Sequence, residues 1–190
     1  KRLAAEALEE AKSTGMESSL ASALVDLSST FYSQRQYEDA AMYAEQGLKQ
    51  AEAIGAKRLT ALARRELALA YYQQDNKEQQ ALELVNESDT FFREAGWQRE
   101  LLLNQGVRAR LLNGEERVNL WNHVLASARQ SGDYRTELSA LMALDRIESV
   151  NRNYPKAIEY ATIAMSLATA KGQETDSLSR QTRLGDLLIR

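Results

Sequence analysis

The feature that most constrains this chain is that it repeats itself. Tyr154 falls on Tyr37, Ala157 on Ala40, Tyr160 on Tyr43 and Ala161 on Ala44, each pair 117 residues apart. A chain built from copies of one unit needs that distance to be a whole number of units, and it is three of about 39 residues. Glycines mark the same period. Gly15, Gly55, Gly96, Gly132 and Gly172 are separated by 40, 41, 36 and 40 residues. Each follows a long helical pattern and suits the left-handed residue after a helix end. A second set of breaks lies between them, at Gln36-Tyr37, Asp75-Asn76, Asn113-Gly114 and Asn151 to Asn153. Every period therefore holds two helices joined by a short turn.

Composition agrees. One proline in 190 residues, with Ala, Leu, Glu, Gln and Arg abundant, favours helix throughout. No sustained alternation of Val, Ile and Thr with polar residues predicts a strand. The fold class is all-α, with about ten helices. Taken in order, Arg2 to Ser13 is the second helix of a half repeat over 1–15. Ser18 to Gln34 with Tyr37 to Ile54 fill 16–55, and Lys57 to Gln74 with Lys77 to Ala95 fill 56–96. Trp97 to Leu112 with Glu115 to Ser131 fill 97–132, and Tyr134 to Val150 with Pro155 to Lys171 fill 133–172. Glu174 to Arg190 opens a last half repeat over 173–190. The whole of 1–190 is expected to form one solenoid. A first residue that is not methionine predicts a segment of a longer protein.

These residues resemble the tetratricopeptide repeat, in a long-period variety of about 40 residues such as bacterial regulators carry. The first helices carry Leu24, Leu27-Ser28 and Phe31, then Leu67-Ala68 and Tyr71, then Leu144-Asp145, and the last carries Leu184-Gly185, the family's own dipeptide. The second helices carry Ala40, Ala44 and Gly47, and Ala157, Ala161 and Ala164, where small side chains let helices approach. The second copy departs at Lys77, Gln80 and Glu87. The third is the poorest, with a short period and Gln105-Gly106 where Leu-Gly belongs.

The resemblance implies a right-handed α-solenoid of antiparallel hairpins whose first helices line a concave groove. Transferred by register, the partner-binding positions include Ser29 and Tyr32, then Arg65, Leu69, Tyr72 and Gln73, then Arg110, then Met142 and Arg146. Aromatic residues and arginine are the usual anchors of binding surfaces. The Lys and Asn pattern that clamps a peptide carboxylate is absent, since Val25, Ser29, Arg65 and Leu69 occupy its places. An acidic peptide meeting Arg65, Arg110 and Arg146 remains open.

Other chemistry is sparse. With no cysteine, thiolate zinc sites, disulfides and cysteine nucleophiles are excluded. His123 is the single histidine and has no second imidazole or thiolate to share a metal. No glycine-rich phosphate loop is present. The expectation is a non-enzyme without catalytic residues, metal or cofactor. A net charge of -3 with both signs interspersed argues against nucleic acid, and no apolar run is long enough for a membrane span. No signal peptide is visible, so the expected location is cytoplasmic.

The function that follows is protein–protein interaction or scaffolding, with a peptide or helix in the concave groove. The alternative is a sensory or regulatory segment of a larger bacterial signalling protein, such as a transcription activator, diguanylate cyclase or kinase. Leu184, Leu187, Leu188 and Ile189 form an apolar face with no following helix. The uncapped terminal helices are therefore expected either to self-associate or to continue into a further repeat of a longer protein.

Overall fold

A computed structural model describes residues 6, 9–10, 16–75, 77–172 and 187. Among them are eight helices: α1 (Glu17–Ser33), α2 (Tyr37–Ala53), α3 (Lys57–Tyr72), α4 (Glu78–Glu94), α5 (Gln98–Leu111), α6 (Gly114–Ser131), α7 (Tyr134–Val150) and α8 (Tyr154–Ala170). No strand occurs among the described residues, so the fold is all-α. The expected helices at 2–13 and 174–190 lie outside the described residues, apart from residues 6, 9–10 and 187.

The turns show why the helices stop where they do. Gly55 has φ +65° and Gly132 +70°, in the left-handed region that glycine enters without strain. After Gly132 the Asp133 N–H reaches back to the Ala128 carbonyl at 3.0 Å, and after Gly55 the Ala56 N–H reaches Ala51 at 2.9 Å. This closure satisfies carbonyls that the last helical turn leaves open. The turns within hairpins use the same device with a different residue. Arg35 and Arg152 both have φ 60°, followed by Gln36 N–H to Phe31 O at 3.0 Å and Asn153 N–H to Glu148 O at 2.8 Å. They stand 117 residues apart, so the repeat extends to the backbone angles. At α7 the entry is also fixed: Asp133 accepts from the Thr136 N–H at 3.2 Å and from its hydroxyl at 3.0 Å.

One face of each even-numbered helix is a buried stripe of small or apolar residues. It runs Ala40, Ala44, Gly47, Ala51 in α2; Ala81, Val85, Ser88, Phe92 in α4; and Ala157, Ala161, Ala164, Ala168 in α8. In α6 it is Trp121, Leu125 and Ala128. A Cβ added at Gly47 would lie 3.2 Å from Val25 Cγ2 and 3.3 Å from Leu24 Cβ, which shows how closely α2 approaches α1. The odd-numbered helices answer with Leu27 in α1, Leu67 in α3 and Leu144 in α7, each the eleventh residue of its helix and nearly inaccessible.

The chain divides into two compact units, Lys1–Leu111 with α1 to α5, and Leu112–Arg190 with α6 to α8. The division falls within the expected third pair. In the first unit every helix packs on the next, and in addition α1 meets α3 and α3 meets α5. Alternate helices thus share a layer. Its main core joins Leu24, Leu27, Phe31, Ala40, Ala44 and Leu67, with Tyr43 and Tyr71 packed against them. In the second unit α6 packs on α7 and α7 on α8. Leu187, expected on an open apolar face, is instead 2% exposed and packs on Ala157 and Ala161, beside Tyr154. Its partner is the same small-residue stripe that serves every other hairpin. Leu184, Leu188 and Ile189 lie outside the described residues.

Candidate interaction surface

The layer shared by α1, α3 and α5 carries most of the expected binding positions. Ser29, Leu69 and Arg110 are each the thirteenth residue of their helices, and Tyr32 and Tyr72 each the sixteenth. Because α1 touches α3 and α3 touches α5, successive copies lie side by side in this layer. The Gln73 side-chain amide donates to Tyr32 Oη at 3.5 Å, and Gln74 donates to the Tyr37 carbonyl at 3.2 Å. These bonds tie the end of α3 to the turn that follows α1. The Tyr32 ring lies 5.5 Å from that of Tyr37, tilted by 58°. Ser29, Ser33 and Gln73 are exposed, while Tyr32, Tyr72 and Arg110 are half-buried.

Two expected residues have structural roles as well. Leu69 packs against the cluster of Ala68, Ala81, Val85 and Val107. Arg65 lies with Nε 3.5 Å from Glu66 Oε1 and its guanidinium carbon 5.9 Å from the centre of the Phe92 ring. Its side chain is only 14% exposed, and Nη1 is buried without a hydrogen-bond partner. The positive charge expected here is therefore matched by its neighbour. Burial pushes the Glu66 carboxyl above its ordinary range; Arg65 pulls it back through charge and hydrogen bonding, and the charge of Asp26 adds to the rise. Asp26, although exposed, is itself raised by partial desolvation.

Asp26 and Glu66 are both the tenth residues of their helices, so the layer carries an acidic repeat that sequence reasoning passed over. The 40-residue period that pairs Tyr32 with Tyr72 also pairs these two, and was the signal available.

In the second unit Met142 is 41% exposed and Arg146 is exposed, both on α7. They correspond by position to Arg65 and Leu69. His123 is exposed on α6. Among the described residues no three His, Cys, Asp or Glu side chains gather as a metal site would need. Among them, too, no helix is long and apolar enough to cross a membrane.

No protein-family model matches this chain, and no curated protein matches it.

Proposed function

We propose that this chain is a protein-interaction module, a solenoid of the tetratricopeptide-repeat kind, which takes a peptide or helix of a protein partner on helices α1, α3 and α5. The observation that carries this reading is the contact of α1 with α3 and of α3 with α5. Such contacts bring one face of each of these three helices into a common layer, and stacked repeats use layers of this kind as extended binding surfaces. Tyr32 and Tyr72 supply large, stiff contact area, and Ser29, Ser33 and Gln73 supply exposed polar groups around it. Arg65, paired and half-buried, belongs to the wall of the surface. Fold-level analogy supplies the rest of the warrant.

Site-specific photocrosslinking tests the proposal. A photoreactive residue at Ser29, on α1, should capture a discrete protein partner, and one at Met42, on the outer helix α2, should not. Gln73→Arg, at an exposed position, should weaken capture at least about tenfold without shifting the melting temperature. Equal capture from both positions, or capture indifferent to Gln73→Arg and Tyr72→Ala, would overturn the reading.

A further inference from the structure

Among the described residues, the first unit gathers its buried polar side chains, Ser28 apart, at one junction. Ser88 and Asp89 of α4 and Asn104 of α5 are 0%, 3% and 0% exposed. Comparison with the other copies shows what has changed there. The seventh residue of α1, α3 and α7 is Ala23, Ala63 and Ala140; in α5 it is Asn104. The eleventh is Leu27, Leu67 and Leu144; in α5 it is Arg108. On α4, Asp89 holds the place that Leu48 holds on α2. An apolar seam has been exchanged for a polar one at this helix.

The polar seam is incompletely satisfied. Asn104 Nδ2 lies 3.0 Å from the Val85 carbonyl, 2.8 Å from Ser88 Oγ and 2.7 Å from Asp89 Oδ1. Three acceptors face two amide protons, while Asn104 Oδ1 has no hydrogen-bond partner. Turning the amide over would set Oδ1 against the Val85 carbonyl and the Asp89 carboxylate. The Ser88 hydroxyl proton is already directed at the Leu84 or Val85 carbonyl, at 2.9 and 3.0 Å. Arg108 Nη1 stands 3.6 Å from Asp89 Oδ2, with its side chain 41% exposed to water. Buried polar networks hold an interface only as well as their members are satisfied.

We propose that α5 is a releasable helix, latched onto α4 through Asn104 and Asp89 and loosened when Asp89 is ionised. The charged groups acting on Asp89 are Arg108 of α5 and Arg93 of its own helix. Those that α3 brings to α4 are Arg64, paired with Glu87 at 3.0 Å, and Arg65, which lies over Phe92 and is paired with Glu66. Burial outweighs the Asn104 hydrogen bond and both arginines, and raises the Asp89 carboxyl above its ordinary range. The docked helix therefore binds the Asp89 proton more readily than the released one. Docking tightens as pH falls through the docked-state pKa and is weakest above it. Release also parts α5 from α3, and so carries Arg110 away from the layer that holds Ser29 and Leu69. The latch stands whether or not that layer binds a partner.

Hydrogen exchange of the full chain, followed by mass spectrometry and corrected for the intrinsic rate at each pH, tests this directly. At neutral pH the α5 amides should open at least about tenfold more often than those of α3. Acidification should protect α5 several-fold, and Asp89→Asn should remove that response. The double variant Asn104→Ala with Asp89→Leu installs the residues that the first copy carries, and should bring α5 to the protection of α3. Equal protection of α5 and α3 in the wild-type chain at neutral pH, or a pH response that survives Asp89→Asn, overturns the latch. The wild-type measurement decides the matter even if the double variant fails to fold.

Discussion

Arginine occupies the left-handed residue of two hairpin turns, at Arg35 and Arg152, where most side chains pay for a Cβ too close to the neighbouring carbonyl. Both have φ 60° and both side chains are exposed, so little contact is lost by removing them. Left-handed backbone costs a non-glycine residue roughly 1–2 kcal/mol, while glycine returns about 0.4–1 kcal/mol of that through the freer unfolded chain. Arg152→Gly should therefore stabilise the fold by about 0.5–1 kcal/mol, seen as a higher urea midpoint at unchanged slope. A lower midpoint would mean that the arginine side chain contributes something its exposure hides. Arg65 illustrates the opposite lesson. In the sequence it is one more cation on a helix, beside a glutamate one residue on, and side chains at that spacing do not ordinarily face each other. Their pairing at 3.5 Å follows from burial of both at the inner layer, which periodicity alone does not reveal.

Among the helices, the small-residue stripes outweigh the visible surface ion pairs. Arg64 bridges three helices, reaching Glu52 of α2 at 3.1 Å and Glu87 of α4 at 3.0 Å, but its partners are 50% and 55% exposed. Water and salt screen such pairs to about 0–1 kcal/mol. Arg64→Ala should accordingly cost under about 1 kcal/mol. Gly47→Leu forces a side chain into the 3.2 Å approach of α2 to Val25 and should cost at least about 1–3 kcal/mol. Leu144→Ala empties a site that is 0% exposed and should cost about 2–5 kcal/mol. Chemical denaturation of the three variants checks the order, and an Arg64 effect as large as that of Gly47 would reverse it. The stripes were legible in sequence because spacing alone defines them. Helix ends are legible to within about two residues, and at α7, Tyr134–Val150, both ends fall as expected, with Asp133 capping the entry. At the third copy legibility failed. The sequence sets Gln105-Gly106 where Leu-Gly belongs, whereas counting from the start of α5 puts Arg108 and Ala109 in those places. A polar residue in a core position is indistinguishable, in one sequence, from a polar residue on a solvated face.

For the molecule as a whole, the period predicted stacked hairpins but not where the chain divides into compact units, between Leu111 and Leu112. The hint was the 36-residue interval from Gly96 to Gly132, the one spacing that breaks the rhythm. The division has a consequence for how stability depends on pH. Among the described residues, the carboxylates that desolvation pushes up, Asp26, Glu66 and Asp89, lie in the first unit, and at Glu66 the charge of Asp26 adds to the effect. A carboxyl whose folded-state pKa is raised binds its proton more tightly folded than unfolded. Its contribution to stability is thus present at low pH and lost as pH rises from the ordinary carboxylate range through the folded-state pKa. Mild acidification from neutral should therefore stabilise the first unit. The two tryptophans allow this to be followed: Trp97, packed 5.7 Å from Phe91 and 6.4 Å from Phe92, belongs to the first unit, and Trp121, 3% exposed, to the second. In a Trp121→Phe variant the urea midpoint read from Trp97 should rise on mild acidification. Asp26→Asn should shrink that rise, because it removes the charge that lifts Glu66. A midpoint that falls steadily from neutral pH downward would mean that water reaches Glu66 and Asp89 and that their desolvation contributes nothing to stability.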